Sequence, residues 1–258
     1  MKAVILAGGL GTRISEETQY KPKAMVMIGG KPIIWHILQH FSTYGINDFI
    51  ICCGYKGHVL KEYFLNYFIH TSDFTIDLKT NKKKILNHKP DPWKVTLIDT
   101  GEFSQTGGRL KRIKEFVKKD KEFLMTYADG LSNVNIKKLI NFHRKHKKLA
   151  TVTAVSPPSK YGSLDIKDNF VINFKEKPPE KNSSINGGYF VLSPKCLDLI
   201  SGDNTIWEQQ PITELFSRRQ LMAYNHDGFW QSMDTLREKN ILNSLWKSNK
   251  APWKVWSR

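Results

Sequence analysis

Between Leu6 and Lys23 the chain reads LAGGLGTRISEETQYKPK, three glycines with arginine and lysines spaced behind them. Gly8, Gly9 and Gly11 can present consecutive backbone N–H groups, a concave nest for phosphate oxygens. Lacking side chains, they also let a flat base lie against the backbone. Arg13 offers a planar fork of donors that suits a phosphate, and Lys23 follows Pro22, which restrains the loop that carries it. Such a set would position a phosphorylated ligand and neutralise its charge. An ordinary strand-to-turn junction with solvated basic residues uses the same residue types. Two familiar phosphate loops do not fit. A GxGxxG fingerprint from Gly9 needs glycine at the position of Ile14, and a GxxxxGK[ST] loop from Gly8 or Gly9 needs it at Arg13 or Ile14.

Acidic residues that could hold a cation beside such a ligand stand far along the chain. Asp129 ends the apolar run EFLMTYAD and precedes Gly130, where an Asp-Gly turn is the alternative. Asp234, in GFWQSMDT, is either a ligand or the N-cap of a helix over TLREKN. Asp99 also closes an apolar run, LID, and reads as a loop-ordering residue. His36 with His40, and His143 with His146, have helical metal spacings, but neither pair has a clear third ligand and there is no HExxH. They read as structural or surface residues. No serine or cysteine has the setting of an activated nucleophile.

These residues need elements to carry them. Short β-branched runs at 2–6, 48–53, 74–78, 94–99, 122–129 and 150–155 read as strands. Between them, apolar residues at helical spacing mark helices over 32–44 and 58–68, one opened by TGG at 106–108, and one around Ile136, Leu139 and Ile140. The alternation predicts an α/β, Rossmann-like fold, a mixed and mostly parallel sheet flanked by helices. Such sheets bind ligands at the carboxyl ends of their strands, where the glycine run, Asp99 and Asp129 fall. After the turn-rich PPSKYG, runs NFVINFKEKP and NGGYFVL add strands, and helices come next near 206–219 and 235–247. One domain over 1–258 is expected, in two parts, one to about residue 130 and a C-terminal one from about 131, to which the family resemblance drawn from the motifs assigns nucleotide binding and sugar binding in turn.

With the spacing strand–LAGGLGTR–x9–KPK, the chain resembles the sugar-phosphate nucleotidylyltransferases. The blocks KPIIWHI, YGINDFIICCGYKG, TGGRLKR, NGGYFVL, WEQQPI, GFWQSMDT and KAPWK extend the resemblance over essentially the whole chain, to the branch that transfers a cytidylyl group. The resemblance implies a nucleotidyl-transferase fold that would carry CTP and α-D-glucose 1-phosphate, giving CDP-glucose and pyrophosphate for the dideoxyhexoses of surface polysaccharide. It also implies a site. Mg2+ would be held by Asp129 and Asp234. Catalytic residues would be Arg13 on the leaving pyrophosphate, Lys23 near the α-phosphate, and Asp129. The nucleotide would meet Leu6, Ala7, Gly8, Gly9, Leu10, Gly11, Thr12, Arg13 and Lys23, with Ala128 and the FSQTGGR loop through Ser104, Gly108 and Arg109. In that loop Arg109 could reach a phosphate or the base carbonyl, and the helix N-terminus opened by Gly107 and Gly108 would favour an anion, although a plain helix start is equally served. The sugar phosphate would meet Tyr127, Glu176, Lys177, Asn186, Gly187 and Trp230; the alternatives are a solvated charged hairpin end for Glu176 and Lys177 and a core aromatic for Trp230. Ala128 stands where the family pattern has glycine, and Ser232 where it has proline.

Composition sets bounds on this picture. The chain has 258 residues, 40% of them apolar, enough for a substantial core. No apolar run reaches the ~18–20 residues of a membrane span, and the N-terminus does not read as a signal peptide. Cys52, Cys53 and Cys196 form no CxxC pair. A cytoplasmic protein is expected. The net charge of +16 attracts polyanions, but its runs NKKK and HRKHKK read as solvated surface and lack the interleaved aromatics of single-strand binders. No nucleic acid and no membrane is expected as a partner. A non-catalytic, basic nucleotide- or RNA-binding protein on a degenerate transferase fold is the rival of another class; another pyrimidine triphosphate or acceptor is the rival within the fold. The aromatic C-terminal stretch LWKSNKAPWKVW suggests a packed or shared surface, and the resemblance favours a homo-oligomer, with a hexamer one form it could take.

Overall fold

The structure, a computed structural model, describes residues 1–156, 163–167, 170–175 and 184–256. Its centre is a seven-stranded sheet in the spatial order Leu221–His226, Ala150–Val155, Ile185–Leu192, Phe123–Tyr127, Lys2–Leu6, Asp48–Cys53, Lys94–Asp99. Ile185–Leu192 runs antiparallel to both its neighbours, and every other pairing in this sheet is parallel. The fold is therefore α/β with a mixed, mostly parallel sheet.

Both faces are buried along the central strands, which is why these read as apolar runs, while the edge strands Leu221–His226 and Lys94–Asp99 are half-buried to exposed. Side chains alternate between two cores. Ala3, Ile5, Phe49, Ile51 and Leu124 point to one, together with Ile34, Ile37 and Phe41 of the helix Ile33–Thr43 and Ile136, Leu139 and Ile140 of the helix Ile136–His146. Val4, Leu6, Ile50, Cys52, Phe123 and Met125 point to the other, against Leu110, Ile113, Trp207 and Leu215.

Several elements differ from the sequence reading. The helix expected over 58–68 is two, Gly57–Leu65 and Tyr67–His70, interrupted at Asn66. The run at 74–78 belongs to a strand Ser72–Asp77 that pairs with Lys82–His88 as a separate hairpin, so the NKKK run is part of an exposed strand rather than a loop. HRKHKK ends the helix Ile136–His146, and His143 within it is buried. The helix expected near 206–219 spans only Gln210–Ser217, because the preceding residues form a turn, with Gln209 N–H donating to the Ile206 carbonyl. C-terminal aromatics are spent on this chain's own core: Trp253 is fully buried, stacks with Phe229 and donates to His36 Nδ1. Among the described residues no helix is long and apolar enough to cross a membrane.

Candidate active site

The carboxyl ends of the strands Lys2–Leu6 and Phe123–Tyr127 open into a cavity of about 480 Å³. Leu6, Ala7, Gly8, Gly9, Leu10, Gly11, Thr12 and Arg13 form one wall, with Lys23 behind them. Ser104 and Arg109 stand on another, and Tyr127, Ala128 and Asp129 on a third. The glycine run is folded as this requires. Gly11 has φ +68°, a left-handed conformation that starts the turn Thr12–Ile14, and its carbonyl accepts from Thr18 Oγ1. Gly8 is buried while Gly9 is exposed, with nothing near the place where a Cβ would stand.

Asp129 and Asp234 meet because of a two-stranded ribbon outside the main sheet. Gly130–Ser132 pairs antiparallel with Trp230–Ser232, Gly130 opposite Ser232, and Met233 N–H donates to the Asp129 carbonyl. Each aspartate thus sits at an end of the same short ribbon. Lys23 Nζ lies between them, 2.8 Å from Asp129 Oδ2 and 2.5 Å from Asp234 Oδ1. Arg13 Nη1 is 2.9 Å from Asp234 Oδ2. The N-cap that Asp234 could have been is its neighbour: Thr235 Oγ1 accepts from Glu238 N–H, and Glu238 Oε2 accepts from Thr235 N–H, a capping box that opens the helix Leu236–Lys247. The Asp234 carboxylate is left free to face the cations.

Two carboxylates of this kind fit a magnesium ion, which takes one or two protein carboxylates and completes its shell with water and substrate phosphates. They would not make a closed all-protein site, and among the described residues no group of three or more His, Cys, Asp or Glu could hold a metal. Lys23 and Arg13 already balance the pair, so this corner collects two negative and two positive side chains next to a glycine-lined cavity.

Two residues of the FSQTGGR loop are placed differently from the sequence expectation. Arg109 reaches the cavity, but its guanidinium is not a free fork. Nη1 donates to Thr100 Oγ1 at 2.9 Å, the Gly101 carbonyl at 2.7 Å and the Cys53 carbonyl at 3.3 Å; Nη2 donates to the carbonyls of Gly8 at 2.9 Å and Glu102 at 3.1 Å. It ties the glycine run to the loop after Lys94–Asp99. A Cβ on Gly8 would stand 2.1 Å from its Nη1. Gly108 does not line the cavity. The N–H groups of Gly107 and Gly108 both donate to the Thr205 carbonyl, and a Cβ on Gly108 would stand 2.3 Å from the Asp203 carbonyl oxygen. The helix start expected to face an anion is packed on backbone instead.

Of the residues expected to meet the sugar phosphate, Tyr127 lines the cavity, while Asn186, Gly187 and Trp230 do not. Trp230 Nε1 donates to the Gly187 carbonyl at 2.8 Å, Asn186 Oδ1 accepts from Gly188 N–H at 2.8 Å, and Tyr127 lies against Gly188. Glu176 and Lys177 lie outside the described residues. Phe103, Gln105 and Thr106 of the FSQTGGR loop line the cavity although none was singled out, and sequence reasoning did not name Ala24 or Glu102, which line it too. Only their places beside Lys23 and beside that loop could have drawn attention to the last two.

The remaining candidates have local partners. Asp99 Oδ1 accepts from Gly101 N–H and orders that turn. His36 contacts the Ile28 carbonyl and His40 the Val134 carbonyl; burial holds both imidazoles down to about 4, so they are neutral near pH 7. His143 and His146 share Thr151 Oγ1. The three cysteines are unpaired and buried, and burial pushes the Cys53 thiol up to about 11.

The sequence profile of the family described as nucleotidyl transferase matches residues 2–237. The chain belongs to the nucleotidyl transferase family. Within that family it is 57% identical over 256 residues to the glucose-1-phosphate cytidylyltransferase of Salmonella typhimurium, covering 99% of this chain and 100% of that protein. It is 43% identical over 257 residues to a probable glucose-1-phosphate cytidylyltransferase of Bacillus subtilis, covering 99% and 100%. Its fold is shared with a putative glucose-1-phosphate thymidylyltransferase of Bacillus anthracis, with a TM-score of 0.69 at 18% identity over 100% of this chain and 98% of that one.

Proposed function

We propose that this nucleotidyl transferase moves CMP from CTP to α-D-glucose 1-phosphate, releasing pyrophosphate and CDP-glucose with the aid of Mg2+. The observation that carries the reading is the convergence of Asp129 and Asp234 on Lys23 at the edge of the glycine-lined cavity. The choice of base and acceptor is supported by the full-length likeness to the Salmonella typhimurium protein. In the proposed reaction an oxygen of the sugar phosphate attacks the α-phosphorus of CTP. The bond from that phosphorus to the bridging oxygen breaks, and pyrophosphate carries the electron pair away.

The reactants are both anions, so positioning and charge neutralisation do most of the catalysis. Bound at Asp129 and Asp234, magnesium would supply positive charge to the phosphate oxygens. Lys23 then faces the α-phosphate and Arg13 the β- and γ-phosphates. The glycine run and Ser104 hold the nucleotide, with Ala128 against it, while Tyr127, Asn186, Gly187 and Trp230 hold the sugar. Arg109 shapes the nucleotide wall through its backbone acceptors. The reading includes a cytoplasmic homo-oligomer supplying dideoxyhexose synthesis for surface polysaccharide; light scattering checks the assembly.

The test is pyrophosphate release with CTP, UTP or dTTP, each paired with glucose 1-phosphate and other sugar 1-phosphates, with and without Mg2+. CTP with glucose 1-phosphate is expected to be preferred and metal-dependent. A clear preference for dTTP overturns the cytidylyl assignment. Salt-sensitive RNA binding with no release from any pair would favour the non-catalytic rival instead.

A further inference from the structure

Glu208 lies outside the cavity, in the segment that enters the helix Gln210–Ser217, yet its carboxylate touches two of the cavity's walls. Oε2 accepts from Thr106 Oγ1 at 2.6 Å, and Oε1 accepts from the Tyr127 hydroxyl. Thr106 comes directly after the 102–105 loop and belongs to the nucleotide wall. Tyr127 ends the strand that leads to Asp129 and packs against Gly188, so it belongs to the acceptor wall. One carboxylate therefore spans both.

Glu208 itself is exposed, but the residue before it is firmly packed. Trp207, the residue before it, is fully buried; its ring meets Phe190 edge-on, and Phe190 meets Tyr127 edge-on. Trp207 N–H donates to Thr106 Oγ1 at 2.9 Å, which leaves the threonine hydroxyl proton for Glu208. Among the described residues no lysine or arginine forms an ion pair with Glu208, even though the chain carries a charge of +16. Its two oxygens are engaged by two neutral hydroxyls.

We propose that Glu208 is a positioning residue for the transfer reaction: by accepting from Thr106 and Tyr127 at once, it sets the separation of nucleotide and acceptor walls and aims the Tyr127 ring at the sugar phosphate. The inference rests on the reaction proposed above. A carboxylate is suited to the task because it accepts twice without donating. A glutamine of the same length replaces the charged acceptor with a neutral amide whose N–H₂ must be accepted by a hydroxyl that turns its own proton away; Thr106, still held by Trp207 N–H, keeps its place, and the Tyr127 side of the strap loosens.

The experiment measures kcat and the KM of each substrate for wild type, Glu208→Gln, Tyr127→Phe and the double variant, with melting temperature alongside. The pair used is whichever one the wild type turns over best. Glu208→Gln is expected to raise the acceptor KM about tenfold, ~1.4 kcal/mol by the standard conversion. The nucleotide KM should change less than about twofold, and kcat should fall. The double variant should be no worse than the poorer single one, since both cut the same strap. Unchanged kinetics in Glu208→Gln, equal shifts in both KM values, additive losses, or a lowered melting temperature alone would each overturn the inference while leaving the proposed reaction standing. A wild type that releases pyrophosphate from no pair overturns the reaction itself and this role with it.

Discussion

Two arginines face one cavity and are used in opposite ways. Arg109 is buried, and its guanidinium is consumed by four carbonyls and a hydroxyl that hold the loops around it. Arg13 has a side chain 72% exposed and, among the described residues, one ion pair, to Asp234. The first has been absorbed into the frame of the pocket, and the second keeps an exposed guanidinium at its rim. A cation near a pocket is thus not by itself a ligand; what matters is how many of its donors the protein has already claimed.

Substitutions can break or sharpen that contrast. The largest effect is expected at Arg109→Ala, which removes a buried guanidinium that donates to five acceptors, hydrogen bonds from a charged group being worth about 1.5–3 kcal/mol each. A total loss of roughly 3–5 kcal/mol in urea-monitored stability would place it among the most damaging single changes. A loss below about 1 kcal/mol would mean that the guanidinium is dispensable to the fold and that the contrast is false. Next comes Lys23→Ala, expected to remove ~3–4 kcal/mol of transition-state stabilisation, or roughly two to three orders of magnitude in turnover. Turnover at the normal rate would take Lys23 out of the mechanism. Third, Thr235→Ala removes half of a capping box and should lower stability by about 1 kcal/mol. Turnover should fall with it if the cap steadies Asp234. The smallest expected change is the stability of Arg13→Ala, within about 1 kcal/mol because its ion pair is solvent-exposed. A large drop in melting temperature would make Arg13 a frame residue like Arg109.

Legibility tracked the range of the interactions. The runs 2–6, 48–53 and 150–155 were readable as strands because burial demands apolar residues there, and 94–99, a half-buried edge strand, because of its β-branched and apolar VTLI. The glycine run was readable because its main chain has to turn and stay open within a few residues. Arg109 was not, since its acceptors on Gly8, Cys53 and Glu102 leave no mark on the residue types that supply them. Nor was the backbone packing of Gly107 and Gly108 on Thr205, which a helix-start pattern resembles in composition. Asp129 and Asp234 were both nameable, yet their meeting depends on the pairing of two three-residue strands too short to carry a periodic signal.

That small pairing has a mechanical consequence. Gly130–Ser132 and Trp230–Ser232 are bound to each other rather than to the seven-stranded sheet. The main chains of Asp129 and Asp234 therefore share a common ledge, whose cross-strand hydrogen bonds fix their spacing. Lys23 arrives from a separate turn, after Pro22. The reach of its ammonium to both carboxylates is thus set by one gap, ledge against turn.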